Sequence, residues 1–143
     1  MTKTHATAIA AIAAVVESVS GITSAPTYPH EQMNESPFAV TYSISGEIDA
    51  GPIGTKKSLS NIAIDVLVIR RDISLDMETL TPFLDSVPAA LLAEVSTGGD
   101  IFSATIDTFE SISSEFIPQI DYGGVQMIGY RFTMNNVKIL VAL

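Results

Sequence analysis

The sequence predicts an α+β domain in which helices pack on one face of an antiparallel sheet. Apolar residues recur at steps of three and four in two segments, which is the period of an amphipathic helix. In the other patterned segments they recur at every second position, which is the period of a half-buried strand. Neighbouring strand segments have no helix between them, so they favour antiparallel pairs, in the order α-β-β-α-β-β.

The length and composition predict a single domain that spans residues 1–143. Hydrophobic residues make up 47% of the chain and charged residues 16%. This balance gives enough apolar surface for one core and is not typical of a disordered chain. No internal repeat or second domain is visible in the pattern.

An alanine-rich amphipathic helix is predicted from Thr4 to about Ser20, and Gly21 is suited to end it. The segment also has some features of a secretory signal, because Lys3 precedes its apolar stretch. Glu17 directly follows that stretch, and the apolar spacing gives one helical stripe, so the helix is the favoured interpretation. The stripe consists of Ile9, Ile12, Val16 and Val19.

Two strands are predicted next, after a proline-rich loop. The first begins at Phe38 and alternates through Ile44. The glycine-containing stretch Gly46–Ser58 predicts a mobile connection that is longer than a tight turn and becomes ordered on docking. The second strand, Leu59–Arg70, is apolar on both faces, which predicts cover on both sides or contact with a neighbouring subunit.

The second helix is predicted to begin at Asp76 as its N-cap, with a kink at Pro88 or a new short helix from Ser86. The stretch Ile101–Ile120 holds a strand that its serine-rich middle makes hard to place. After a glycine turn, the last strand alternates firmly, and Asn135–Asn136 predicts a bulge or a turn within it.

No catalytic, cofactor or metal site is predicted. His5 and His30 have no second histidine near them, and we expect both to be solvated structural residues. The chain has no cysteine, and its carboxylates are scattered. These features favour a non-enzymatic protein, with a small α+β enzyme or ligand-binding domain as the alternative.

The charge balance argues against nucleic acid as a specific ligand. The chain has 16 acidic and 7 basic residues, a formal net charge of −9. An acidic surface repels phosphate, but it suits a channel through which DNA slides or a dock for a basic partner. No apolar run approaches the roughly 20 residues that span a bilayer, so no membrane partner is expected.

The residues expected at a docking interface come from the loop before the second strand, from one face and the end of that strand, and from the last strand. Asp65 interrupts the apolar strand, and its environment is open: an outward edge position, pairing with a cation such as Arg71 or Arg131, or a polar contact across a subunit interface. The full candidate set is Lys56, Lys57, Asp65, Leu67, Ile69, Arg70, Arg71 and Arg131.

In their order and residue composition, several segments resemble those of the tail terminator proteins of siphophages. The resemblance covers most of the chain and contains no chemical signature. Its segments are YPHE (Tyr28–Glu31), FAVTY (Phe38–Tyr42), IDVLVIRRD (Ile64–Asp72), TPFLDSVPAALL (Thr81–Leu92) and DYGGVQMIGYRF (Asp121–Phe132).

This resemblance implies a structural protein of a tailed-phage virion. Such terminators form a ring, usually a hexamer, that caps the major tail tube protein and meets the head-completion or stopper protein. The implied location is the head-proximal end of the tail, after assembly in the cytoplasm of the host bacterium. A head–tail connector or stopper is the alternative within the same class.

Overall fold

Four strands pair into one antiparallel sheet in the computed structural model of the chain, which describes residues 4–27, 36–50, 53–96, 106–122 and 124–142. The strand order across the sheet is β1-β2-β4-β3. The predicted α+β class and element order are confirmed. The elements are α1 (His5–Glu17), β1 (Phe38–Ala50), β2 (Thr55–Ile69), α2 (Ile73–Leu80), α3 (Phe83–Ser96), β3 (Ser111–Tyr122) and β4 (Val125–Ala142).

Helix α1 begins with a reciprocal cap. The Thr4 hydroxyl accepts a hydrogen bond from the Thr7 N–H, and the Thr7 hydroxyl accepts one from the Thr4 N–H. These bonds satisfy donors that the first turn leaves free. The helix ends at Glu17 with Ser18 as its C-cap, so the predicted end at Ser20–Gly21 is too late. Gly21 has a φ of 99° and lies in the turn that follows.

The second predicted helix is two helices, and its start was predicted wrongly. Asp72, and not Asp76, is the N-cap of α2, and its carboxylate accepts from two N–H groups of the first turn. The break falls at Thr81–Pro82, because Pro82 has no N–H with which to continue α2. Pro88 lies inside α3, so the predicted new helix from Ser86 is also wrong.

The prediction of a long mobile connection at Gly46–Ser58 is wrong as well. Strand β1 runs to Ala50 and β2 begins at Thr55, so residues 51–54 alone connect the two strands. Pairing continues through the glycine- and serine-containing part, for example Gly46 with Ser60 and Ile48 with Ser58. Cross-strand bonding therefore overrides the weak strand propensity of these residues.

All three helices pack on one face of the sheet and form the main core there. Residues of α1, α2 and α3 share this cluster with alternate residues of β2 and β4. The sheet contributes, among others, Ile62, Ile64, Val66, Phe132 and Met134, all fully buried. The segment before β1 also adds to the sheet, since residues 23–26 hydrogen-bond along the outer edge of β1 as far as Thr41.

Two bulges lie at the same level, on either side of β2. One is in β1 between Ser43 and Ser45, and the other is in β4, where Asn136 has a φ of 54°. The bulge interpretation of Asn135–Asn136 is thus confirmed. Each extra residue reverses the alternation of its strand, which brings Val137 to the helix face with Met134, three positions earlier.

Gly129 is required by the close approach of β4 to β2. A Cβ atom at this position would lie 1.9 Å from the Val66 carbonyl oxygen and 2.8 Å from Leu67 Cδ2. Backbone atoms of a central strand cannot yield to such an overlap without disrupting the ladder.

We expect Gly129→Ala to destabilise the fold by at least about 4 kcal/mol, because the steric overlap falls on backbone. Gly54→Ala is the matched control: it has open space around it but a φ of 88°, so it should cost about 1–2 kcal/mol. Urea unfolding followed by circular dichroism measures both. Equal losses would contradict the steric argument.

Thr41 carries a buried polar atom without a partner. Its side chain is fully buried, and its hydroxyl makes no hydrogen bond within the described ranges. Thr41→Val keeps the shape and removes this cost, so it should stabilise the protein by about 1 kcal/mol. The half-buried Thr133→Val is the control and should change the urea midpoint little; a loss of stability in Thr41→Val would show that the hydroxyl is needed.

Candidate docking surface on the sheet

The sheet face opposite the helices, called here the open face, carries a second and smaller apolar cluster. Phe38, Val40, Leu67 and Met127 are its buried members. Around them lie partly buried residues of the four strands, and no described helix residue belongs to this cluster. The strand residues at this level therefore have apolar surroundings on both faces, as the pattern of β2 predicted.

Asp65 lies in the middle of this face and is held by two partners. Its carboxylate accepts two bonds from Arg131, from Nε at 2.8 Å and from Nη2 at 3.2 Å. The Tyr42 hydroxyl donates to the same carboxylate at 2.6 Å. The guanidinium of Arg131 also lies over the Tyr42 ring, with Cζ 5.9 Å from the ring centroid, within cation–π range.

The two members of this ion pair differ in how deeply they are buried. The Asp65 side chain is 1% exposed, whereas that of Arg131 is 32% exposed. The hydrogen bond to Asp65 holds the pKa of Arg131 above its usual value; burial opposes this rise, and the charges of Asp65, Tyr42 and Glu115 add to it. The raised pKa of Arg131 means that, as the pH rises, this contribution to stability is lost only in strong alkali.

The sequence had left the environment of Asp65 open, and the structure decides it. The edge interpretation is wrong, because β2 lies between β1 and β4 and Asp65 is fully buried. Of the two cations considered, Arg131 is the partner, since β4 places it directly opposite Asp65 in register. Leu67 and Ile69 follow on the same face.

The remaining predicted residues do not gather at this pair. Arg70 and Arg71 are exposed beyond the end of β2, and the Arg71 N–H donates to the buried Asp76 carboxylate at 2.9 Å. Lys57 lies on the open face far along β2, and Lys56, its neighbour in the strand, points to the other face.

The sequence did not single out Asn61, whose side chain joins the two bulges. Its amide donates to the Ser45 hydroxyl at 2.8 Å and accepts from the Asn136 N–H at 3.1 Å. Asn136 in turn donates to the Glu110 carboxylate. A polar belt thus crosses the sheet and satisfies a backbone group that the bulge frees. An asparagine within an apolar strand was the available signal.

Both outer edges of the sheet are long. The hydrogen bonds from the segment before β1 extend along its outer edge as far as Thr41, and the strand is exposed from Ser43 to Asp49. The outer edge of β3 is similarly exposed over most of its length. A bulge that includes Pro118 interrupts that edge, and Glu115 adds a charge to it. Both features oppose non-specific pairing with strands of other molecules.

His5 is partly buried, which corrects the expectation that it is solvated. Its Nε2 lies 2.8 Å from the Ser60 Oγ and connects the start of α1 to β2. A serine beside a histidine acts as a nucleophile when a third group orients the imidazole ring and hydrogen-bond donors are placed to stabilise an oxyanion. No carboxylate among the described residues bonds to His5, so the contact anchors α1. His30 lies outside the described residues.

The described ranges contain neither a metal-binding group of side chains nor a membrane-spanning helix. They contain no group of three or more His, Cys, Asp or Glu residues arranged to hold a metal ion. None of the helices in these ranges is long and apolar enough to cross a membrane.

No protein-family model matches the sequence, and no curated protein matches it.

Removing Arg131 should expose how much Asp65 depends on it. Arg131→Met leaves a buried carboxylate with Tyr42 alone and should cost about 3–5 kcal/mol. The exposed Arg70→Met should stay within about 0.5 kcal/mol. Because the penalty comes from the orphaned charge, the double variant Asp65→Leu/Arg131→Met should recover most of the loss in urea unfolding. A double variant as unstable as the single one would contradict this account.

Proposed function

We propose that this chain is a structural subunit of a tailed-phage virion, a tail terminator that forms a ring on the end of the tail tube and meets the head connector. In this role it binds copies of itself, the major tail tube protein and the head-completion or stopper protein. It performs no catalysis and binds no specific nucleic acid.

The observation that carries the proposal is the pair of open edges on opposite sides of the sheet. A ring is built from heterologous contacts, in which two different surfaces of one subunit meet those of its neighbours. Strands β1 and β3 are such surfaces: both are terminal in the sheet, and both have exposed stretches. The helices lie on one face, so they leave both edges accessible.

Exposed apolar side chains give a second argument. Ile44, Ile48 and Ile53 are exposed along the β1–β2 hairpin, at 47%, 62% and 106% respectively. Large exposed side chains of this kind along one hairpin are typical of a protein contact. The mechanism is thus mechanical: the hairpin and the sheet edges hold neighbours in register.

The acidic balance suits the position. A net charge of −9 on each subunit makes a ring whose lumen repels the DNA backbone, so that DNA slides through it. The segment resemblance to tail terminators supplies the identity of the ring, and the structure supplies a subunit with surfaces suited to it.

The test is to locate the protein in virions of the phage that encodes the chain. A gold-labelled affinity tag on the chain should appear at the head-proximal end of tails in electron micrographs, and the protein should sediment with purified tails. Label on capsid vertices of tail-less heads would favour the connector or stopper instead. A protein present in neither fraction would overturn the structural role.

Charge at the end of β2 should affect ring closure. Arg131 is occupied by Asp65, so the exposed Arg70 and Arg71 are left to offset acidic neighbours. We expect Arg71→Glu to reduce association about 3–10-fold at low salt, and less at about 0.5 M salt, where exposed charges are screened. Arg70→Glu makes the same change of charge at the neighbouring position and shows which of the two arginines lies at the joint. Sedimentation velocity at two salt concentrations measures the effect, and unchanged assembly of Arg71→Glu at low salt would contradict it.

A further inference from the structure

The tip of the β1–β2 hairpin presents an apolar side chain that its own subunit does not cover. Ile53 is fully exposed, and it lies beside Gly54 at the turn. The strands that lead to it remain paired up to Ala50 and Lys56. The sheet therefore presents Ile53 at the end of a paired hairpin and not on a long loop.

A cleft of suitable character lies on the open face of the same sheet. It has a volume of about 330 Å³, and its lining includes Leu59 and also Phe109, which packs against the main core. Lys57, Lys138 and Glu110 supply charges of both signs. A second depression of about 240 Å³, which shares Leu59 with the first, continues it across β2 toward Glu47.

The bulge in β4 gives the cleft its shape. Asn136, with its positive φ, lines both depressions. The reversal of alternation after the bulge places Lys138 opposite Leu59, on the open face. If the present residues of β4 alternated regularly from Met134 onward, with no bulge, Lys138 would point toward the helices.

Basic residues on this part of the surface lower the repulsion that a second copy meets there. The chain carries 7 basic against 16 acidic residues, so two copies repel each other over most of their surfaces. Three of the basic residues, Lys56, Lys57 and Lys138, belong to this end of the sheet. The hairpin tip has both signs as well, with Asp49 on β1 and Lys56 on β2.

The tip cannot reach the cleft of its own subunit. Leu59 is six residues along the extended strand from Ile53, a separation of roughly 20 Å at about 3.3 Å per residue. The apolar tip and the apolar cleft are therefore available only to another molecule. Since each subunit has one of each, a contact between copies satisfies both at once and leaves a free tip and a free cleft to continue the chain of contacts.

We propose that the hairpin tip of one copy inserts Ile53 into the cleft around Leu59 of the next copy, with Asp49 of the tip facing Lys138. This heterologous contact deepens the proposed function, because it rests on self-assembly into a ring and names the surfaces that meet.

Cysteine cross-linking tests the contact cleanly, because the natural sequence has no cysteine. Thr108 is exposed at the cleft, so an affinity-tagged Ile53→Cys protein is mixed with untagged Thr108→Cys protein under mild oxidation. We expect the mixed disulfide to exceed that of an Ile44→Cys/Thr108→Cys mixture at least about tenfold, since Ile44 is also exposed but is not at the tip.

Charge and shape variants identify the cause of the cross-link. Lys138→Glu in the Thr108→Cys partner should reduce the mixed disulfide severalfold at low salt. A single chain with both Ile53→Cys and Thr108→Cys should give a ladder of oligomers that ends at the closed ring, whereas a symmetric contact stops at dimers. Circular dichroism of each variant confirms that it is folded.

The outcomes separate this contact from the proposed function. Each mixture is also oxidised with purified tails present, because a ring can require its template. If the Ile53→Cys and Thr108→Cys proteins fail to cross-link above the control in both conditions, the contact is overturned, even if the protein caps tails. If the Ile53→Cys protein cross-links to a tail protein instead, the occupant of the contact is not a second copy, and the contact is overturned in this case too. Cross-linking by a chain that is absent from virions keeps the contact and overturns the tail role.

Discussion

The double burial of strand β2 is the constraint on which the rest of the structure depends. From Ile62 to Val68 every side chain of this strand is buried, and β1 and β4 flank it on both sides. Each residue there must be apolar, small or fully paired. Asp65 meets this condition only because Arg131 and Tyr42 bond to its carboxylate, since an unpaired buried charge costs several kcal/mol. The β4 backbone also approaches the β2 backbone so closely at Gly129 that no side chain fits there.

The paired bulges divide the sheet into two regions with different tasks. Near Asp65, both faces are occupied, and the sheet acts as the centre of the fold. Beyond the polar belt of Asn61, the helix-facing side still holds core residues such as Val137, while the open face has half-buried and exposed groups. Bulges commonly re-aim side chains in this manner. Here the reversed alternation of β4 directs Val137 into the core on the helix face. It directs Lys138 to the charged, partly apolar cleft on the open face.

This arrangement has a consequence for assembly. The subunit completes its main core on one face of the sheet, so association need not rearrange that core. In the proposed ring, contacts between copies use edges, a hairpin tip and the far part of the open face. Each such contact is weak against the repulsion of acidic subunits. Ring closure and attachment to a template would add contacts within one assembly and so raise the effective concentration of each, which suits the proposed position at the end of a finished tube.

The sequence by itself determined the class of this protein, because local periodicity and composition are sufficient for that. Strand and helix periods, an alanine-rich first helix and the doubly apolar β2 follow from which residues must be buried. The sequence could not decide the partner of Asp65, since Arg131 is 66 positions away and only the β2–β4 register brings them together. The β1–β2 register also extends both strands into Gly46–Ser58, where intrinsic propensity favours a loop. Tertiary structure alone placed the tip, the cleft and the open edges, because these are products of long-range pairing and of two bulges whose effect depends on the neighbouring strand.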